Sequence, residues 1–155
     1  MTNINAEAEI TQLTALVRLR RAEAKDCRDD DDLEGAVAAL ADAVSALRRS
    51  PLYAEVMDTA TTTPSPQARQ LAAQLADCLG MRGGNLRRLD RLDQALKCFD
   101  EGRALEESTR LALDSSYNLV NAVTLPIETG SATVPAQRAA LERAVQSIDR
   151  QLRGA

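Results

Sequence analysis

Apolar side chains recur at intervals of three and four along most of the chain, and no stretch keeps the strict alternation of a half-buried strand. Across residues 6–25, Ile10, Leu13, Leu16, Val17 and Ala24 fall on one side of an amphipathic helix. Beyond an acidic run at 29–32, Leu33, Val37, Leu40, Val44 and Leu47 advance by four, three, four and three, which predicts a second helix. Asp31 stands where its carboxylate caps free amides, and Glu34 follows three positions later to answer it. Arg48 and Arg49 complement the negative end of that helix, and Pro51 stops it. Residues 52–57 predict one short helical turn, and the threonine- and proline-rich stretch 58–66 a connector.

A third helix starts at Pro66 or Gln67 and carries Leu71, Leu75, Leu79, Gly83, Leu86 and Leu89 on one face. A fourth spans 92–107 with Leu92, Ala95, Leu96, Phe99 and Leu105. The joint at Asp90 and Arg91 is so short that these two must lie antiparallel. A fifth helix is predicted over 108–125 on Leu113, Tyr117 and Val120, ending before Pro126, with a loop over 126–135. The last carries Leu141, Ala144, Val145, Ile148 and Leu152. The pattern predicts an all-α fold of about six main helices, paired as antiparallel hairpins at 6–49, 67–107 and 108–153 in one domain spanning 1–155.

Composition narrows the chemistry. The 155 residues include no histidine and no tryptophan, and aromatics make up 2%. Histidine-based triads, most zinc sites and imidazole proton transfer lose their usual residue. With 19 basic against 23 acidic side chains, the chain is a poor partner for nucleic acid, which needs phosphate neutralisation and base stacking. No basic start precedes an apolar run, so neither a secretory leader nor a membrane span is expected. Cys27, Cys78 and Cys98 are odd in number and lack a C-x-x-C pair, which suits a reducing cytoplasm and small buried groups rather than disulfides or thiolate metal sites.

Residues 75–107 carry a more specific signal. Leu79, Gly83 and Leu86 give a large, small, large series in the first helix, and Leu92, Ala95, Phe99 and Gly102 a large, small, aromatic, small series in the second. This segment resembles a tetratricopeptide repeat. It departs from that family at Asp90, where glycine is favoured, and at Glu107, where proline is common. Ala36, Leu40 and Ala43, and then Ala140, Ala144 and Ser147, resemble further second helices of the same kind, unevenly spaced. The resemblance implies three hairpins stacked as a short α-solenoid.

Arg18, Arg21, Lys25 and Arg28 lie three, four and three apart and form one basic stripe if the first helix continues through Arg28. The resemblance implies that first helices line a concave groove. It would add Arg87, Arg88, Asn118 and Asn121 to that stripe as partner-binding residues for an extended, acidic or carboxylate-bearing peptide. The competing reading has the arginines solvating a helix face and pairing with Glu7, Glu9, Glu23 or the acidic run. Tyr117, Asn118 and Asn121 read equally as groove contacts or as buried polar groups. The acidic run lacks the ligand spacing of a calcium loop, and Gly80, Gly83 and Gly84 lack the strand and lysine of a phosphate loop. No catalytic pair, metal site or cofactor is proposed. The expected function is a non-enzymatic, cytoplasmic protein-interaction module, an adaptor or regulatory subunit with no nucleic-acid or membrane partner. The alternatives are a helical homo-oligomerisation domain and, third, an enzyme or small-ligand sensor with an interhelical pocket.

Overall fold

In the computed structural model, which describes residues 3–154, the chain forms seven helices and no strand among those residues. They are α1 (Asn3–Asp29), α2 (Leu33–Arg49), α3 (Pro51–Met57), α4 (Pro66–Arg88), α5 (Leu92–Glu107), α6 (Tyr117–Glu128) and α7 (Arg138–Gly154). The seventh arises because the short turn after Pro51 is a helix in its own right, with Pro51 in its first turn and the Ser50 hydroxyl accepting from the Leu52 amide.

The first two hairpins are closed by the same turn. After α1, the Asp32 amide donates to the Cys27 carbonyl and the Asp31 amide to that of Arg28. After α4, Arg91 donates to Leu86 and Asp90 to Arg87 in the same pattern. Asp31 and Asp90 occupy the left-handed region at φ 59° and 60°. This is the helix-ending arrangement that usually takes glycine, and aspartate is among the few other residues that enter it readily. Asp31 is therefore spent on the turn, and Asp32 replaces it as the cap of α2, accepting from the Gly35 amide at 2.8 Å. Glu34 turns away from the expected capping box and pairs with Arg91.

Contact registers fix the directions. Arg20 meets Asp42, and the Cys27 thiol lies beside Gly35, so α1 and α2 run antiparallel. Glu7 meets Gln67 and Thr14 meets Gln74, so α1 and α4 run parallel. Asn118 reaches the Ala76 carbonyl while Arg87 reaches Asn121, which sets α6 parallel to α4. The three helices α1, α4 and α6 thus point the same way. A main core extends from Ile10 in α1 through Leu47, Leu75 and Phe99 to Leu125 in α6. Gly83 lies so close to Phe99 that an added Cβ would come within 2.7 Å of the ring, and Ala95 is fully buried alongside.

Three expectations fail, each for a local reason. The fifth helix begins at Tyr117 rather than 108, because the segment between is anchored elsewhere. Arg110 donates to the carbonyls of Glu55, Val56 and Thr61, at 2.9, 2.9 and 2.7 Å, tying down the end of α3. Leu111 is buried, Ala112 is left-handed, and Asp114, Ser115 and Ser116 favour turns. Pro126 sits inside the last turn of α6, which continues past it through the Thr129 amide bonding to the Leu125 carbonyl. The loop accordingly falls at 129–137. Finally, α7 keeps its larger apolar side chains outside and turns inward the small anchors that the repeat resemblance picks out. It buries Ala140, Ala144 and Ser147 and leaves Val145, Ile148 and Leu152 exposed at 65%, 38% and 72%. No helix among the described residues is long and apolar enough to cross a membrane.

Candidate functional site

The shared direction of α1, α4 and α6 brings side chains far apart in sequence to one concavity of about 600 Å3. Six of the eight nominated residues line it: Arg21, Arg28, Arg87, Arg88, Asn118 and Asn121. Arg18 is exposed outside it, and Lys25 is committed to Asp29 at 2.8 Å, a contact that raises its pKa. α1 does run unbroken through Arg28, so the basic stripe lies on one helix. Only its members two turns apart reach the pocket wall.

The remaining polar residues differ in availability. Arg87 pairs with Glu128 and donates to the Asn121 side chain at 3.4 Å, while Asn121 in turn donates to the Tyr117 carbonyl at 2.7 Å. Among the described residues, Arg21, Arg28 and Arg88 form no ion pair. Among the described residues, Asp77 is the one carboxylate in the pocket lining. Although it reaches solvent, protein atoms displace enough water around it to raise its pKa above the usual carboxylate value, and Arg21 pulls the other way.

Asn118 is a buried bracket rather than an exposed contact. It is 1% exposed, and its amide donates to the Ala76 carbonyl at 2.9 Å and to Glu106 at 2.8 Å, joining α4 and α5 to the start of α6. Both partners are acceptors, which fixes the amide orientation and leaves Oδ1 without a donor. The bracket requires space: a Cβ on Gly102 would fall 2.3 Å from the Asn118 amide carbon. Glu106, itself buried, accepts from the backbone amides of Asn118 and Leu119 and from the Ser115 hydroxyl. It caps α6 from a neighbouring helix, so Ser116 at the N-cap makes no capping bond and its hydroxyl donates instead to Gln151 of α7 at 3.1 Å.

Sequence reading singled out Tyr117 as a groove contact or a buried polar group but missed its packing against glycines, and it missed Glu106 altogether. The Tyr117 ring lies over Gly80, meets Phe99 edge-on at 6.2 Å between centroids, and brings its hydroxyl near Gly84. The three glycines of α4 are thus contact surfaces for two aromatic rings. The signal was present in the i, i+4 pair Gly80 and Gly84, which clears a track one ring wide. Glu106 gave none, because its partners come from a turn whose position depends on tertiary contacts.

Burial pushes the Cys78 thiol up to about 11 and raises that of Cys98, so both are poor nucleophiles at neutral pH. The Cys27 thiol is only half-buried, and desolvation followed by the Asp32 charge raises it too. Among the described residues, no group of three or more acidic or cysteine side chains is placed to hold a metal ion. Comparisons with protein-family models, curated proteins and solved structures found no match to this chain.

Proposed function

We propose that the chain is a non-catalytic, tetratricopeptide-like interaction module, its hairpins stacked as a short solenoid, which holds an acidic peptide segment of a partner protein against α1, α4 and α6. The observation that carries this reading is the convergence of three arginines without ion pairs, Arg21, Arg28 and Arg88, on one open concavity beside the exposed Tyr117 ring. Guanidinium groups recognise carboxylates through paired, charge-assisted hydrogen bonds, and an exposed aromatic ring supplies contact area at low entropic cost. The parallel arrangement of the three groove helices and the repeated turn at Asp31 and Asp90 support the repeat architecture. Three free cysteines, two of them buried, fit a reducing compartment such as the cytoplasm.

The test is fluorescence anisotropy with a labelled oligoglutamate peptide and its oligolysine counterpart, using the full chain. The acidic peptide binds and the basic one does not. Arg21→Glu combined with Arg88→Glu, both on exposed positions, weakens binding by roughly tenfold or more, since charge-assisted bonds contribute about 1.5–3 kcal/mol each. Equal binding of parent and double variant would refute the groove reading.

A further inference from the structure

The outer face of α7 is a surface separate from the groove. Leu141, Val145, Ile148 and Leu152 advance by four, three and four, the spacing of a coiled-coil seam. The helix docks through its smallest side chains instead, Ala140, Ala144 and Ser147, against Leu119 and Val123 of α6. Three of the four seam residues are exposed, and beside Leu141 and Val145 the surface opens into a notch of roughly 350 Å3 that extends to Val134. A stripe of this kind on a water-exposed helix is a recognition surface more often than ornament, because its cost in water is unrecovered until something covers it.

The charges along the seam say what covers it. Helical geometry sets Arg138, Glu142, Asp149 and Arg153 along its free edge, while the other edge borders the face buried against α6. Their order is positive, negative, negative, positive, and it reads the same from either end. An antiparallel second copy would set Glu142 against Asp149 and Arg138 against Arg153, like against like. A parallel copy would have to bring against these charges its other edge, where Ala144 is buried against α6 and Gln151 already accepts from Ser116, so it offers them no opposite charge.

We propose that the outer face of α7 is a docking seam for an amphipathic helix of a different protein, with basic residues opposite Glu142 and Asp149 and acidic residues opposite Arg138 and Arg153. Its apolar stripe repeats the four-three spacing and inserts into the notch beside Leu141 and Val145. Asp149 and Arg153 pair within α7 at 2.9 Å and both stay open to a partner.

The experiment uses two synthetic helical peptides of about 18 residues, ~five turns. Both carry leucines at four-three spacing; one has central lysines and terminal glutamates, the other the reverse. Anisotropy titrations with the full chain are expected to show the first binding roughly tenfold or more tighter than the second, as flanking charges select helix partners. Val145→Glu with Leu152→Glu, at exposed positions whose replacement spares the core, abolishes that binding. Arg21→Glu, in the groove, leaves it unchanged, so failure here and failure of the groove reading are separable. Equal affinity for the two peptides, or no binding of either, overturns the proposal. So does sedimentation showing a dimer that the double variant converts to monomer, since the occupant is then a second copy.

Discussion

Gly83 shows how a single missing atom organises the centre of this protein. With hydrogen in place of a side chain, α4 lets the Phe99 ring lie against its backbone; a Cβ would intrude to 2.7 Å, and the ring is fully buried with nowhere to move. Gly83→Val is therefore expected to cost about 1–3 kcal/mol through overpacking, against a helix-propensity gain of a few tenths. Urea denaturation followed by circular dichroism checks it, and an unchanged midpoint would show that the helices part without penalty. This pairing was legible in the sequence because both partners sit on strongly periodic helices joined by a very short link. Asp90 was legible only as a departure from glycine, and its left-handed backbone explains how the turn survives the substitution. Asn118 was visible as a polar residue in an apolar helix, but not as a bracket, because its partners Ala76 and Glu106 belong to elements whose approach no local pattern encodes.

At the level of elements, periodicity located the helices well wherever a hydrophobic face also meets the core. It failed where tertiary anchors overrule local preference. Residues 108–116 carry helix-compatible apolar spacing, yet the Arg110 fork and buried Leu111 hold them as a strap across α3. In α7 the period held, the larger apolar stripe stayed outside, and the small anchors Ala140, Ala144 and Ser147 turned inward, since small residues allow the close approach to α6 that the larger ones would prevent. The strap makes its own prediction. Arg110 satisfies two carbonyls at the C-terminal end of α3 and one in the connector with a rigid planar fork, a geometry the single ammonium of lysine does not reproduce. Arg110→Ala is expected to cost about 2–3 kcal/mol, with Arg110→Lys recovering less than half, given about 1.5–3 kcal/mol for charged hydrogen bonds. Thermal unfolding measures the loss, and hydrogen exchange localises it to faster amides in residues 51–65. Full recovery by lysine would mean that charge at the helix end, not the fork, is what counts.

For the whole molecule, the instructive contrast lies between a chain of net charge -4 and a pocket with four arginines and one carboxylate in its lining. A concavity walled by protein focuses its own charges, so its local sign prevails at short range over the molecular total. Asp77 is the exception within that field, and its raised pKa fixes the sign of its effect on stability. Below the ordinary carboxylate value of 3.8 it is protonated in folded and unfolded chains alike and makes no difference between them. As pH rises through the folded pKa, the unfolded chain has already released its proton to open water, while the folded one must hold the charge among dehydrating neighbours. Stability attributable to Asp77 therefore falls across that window and stays lower above it. Asp77→Asn removes the loss, so the variant should gain on the parent as pH climbs from acid to neutral and match it at strongly acid pH. The same change deletes the pocket's only opposing charge among the described residues. Oligoglutamate should then bind roughly two- to fivefold tighter at low ionic strength, the scale of one water-screened charge contact, with the gain shrinking in high salt. A variant that gains stability on that pH schedule but not affinity would show that the peptide passes clear of α4, leaving Arg21 and Arg28 on α1 to carry its recognition.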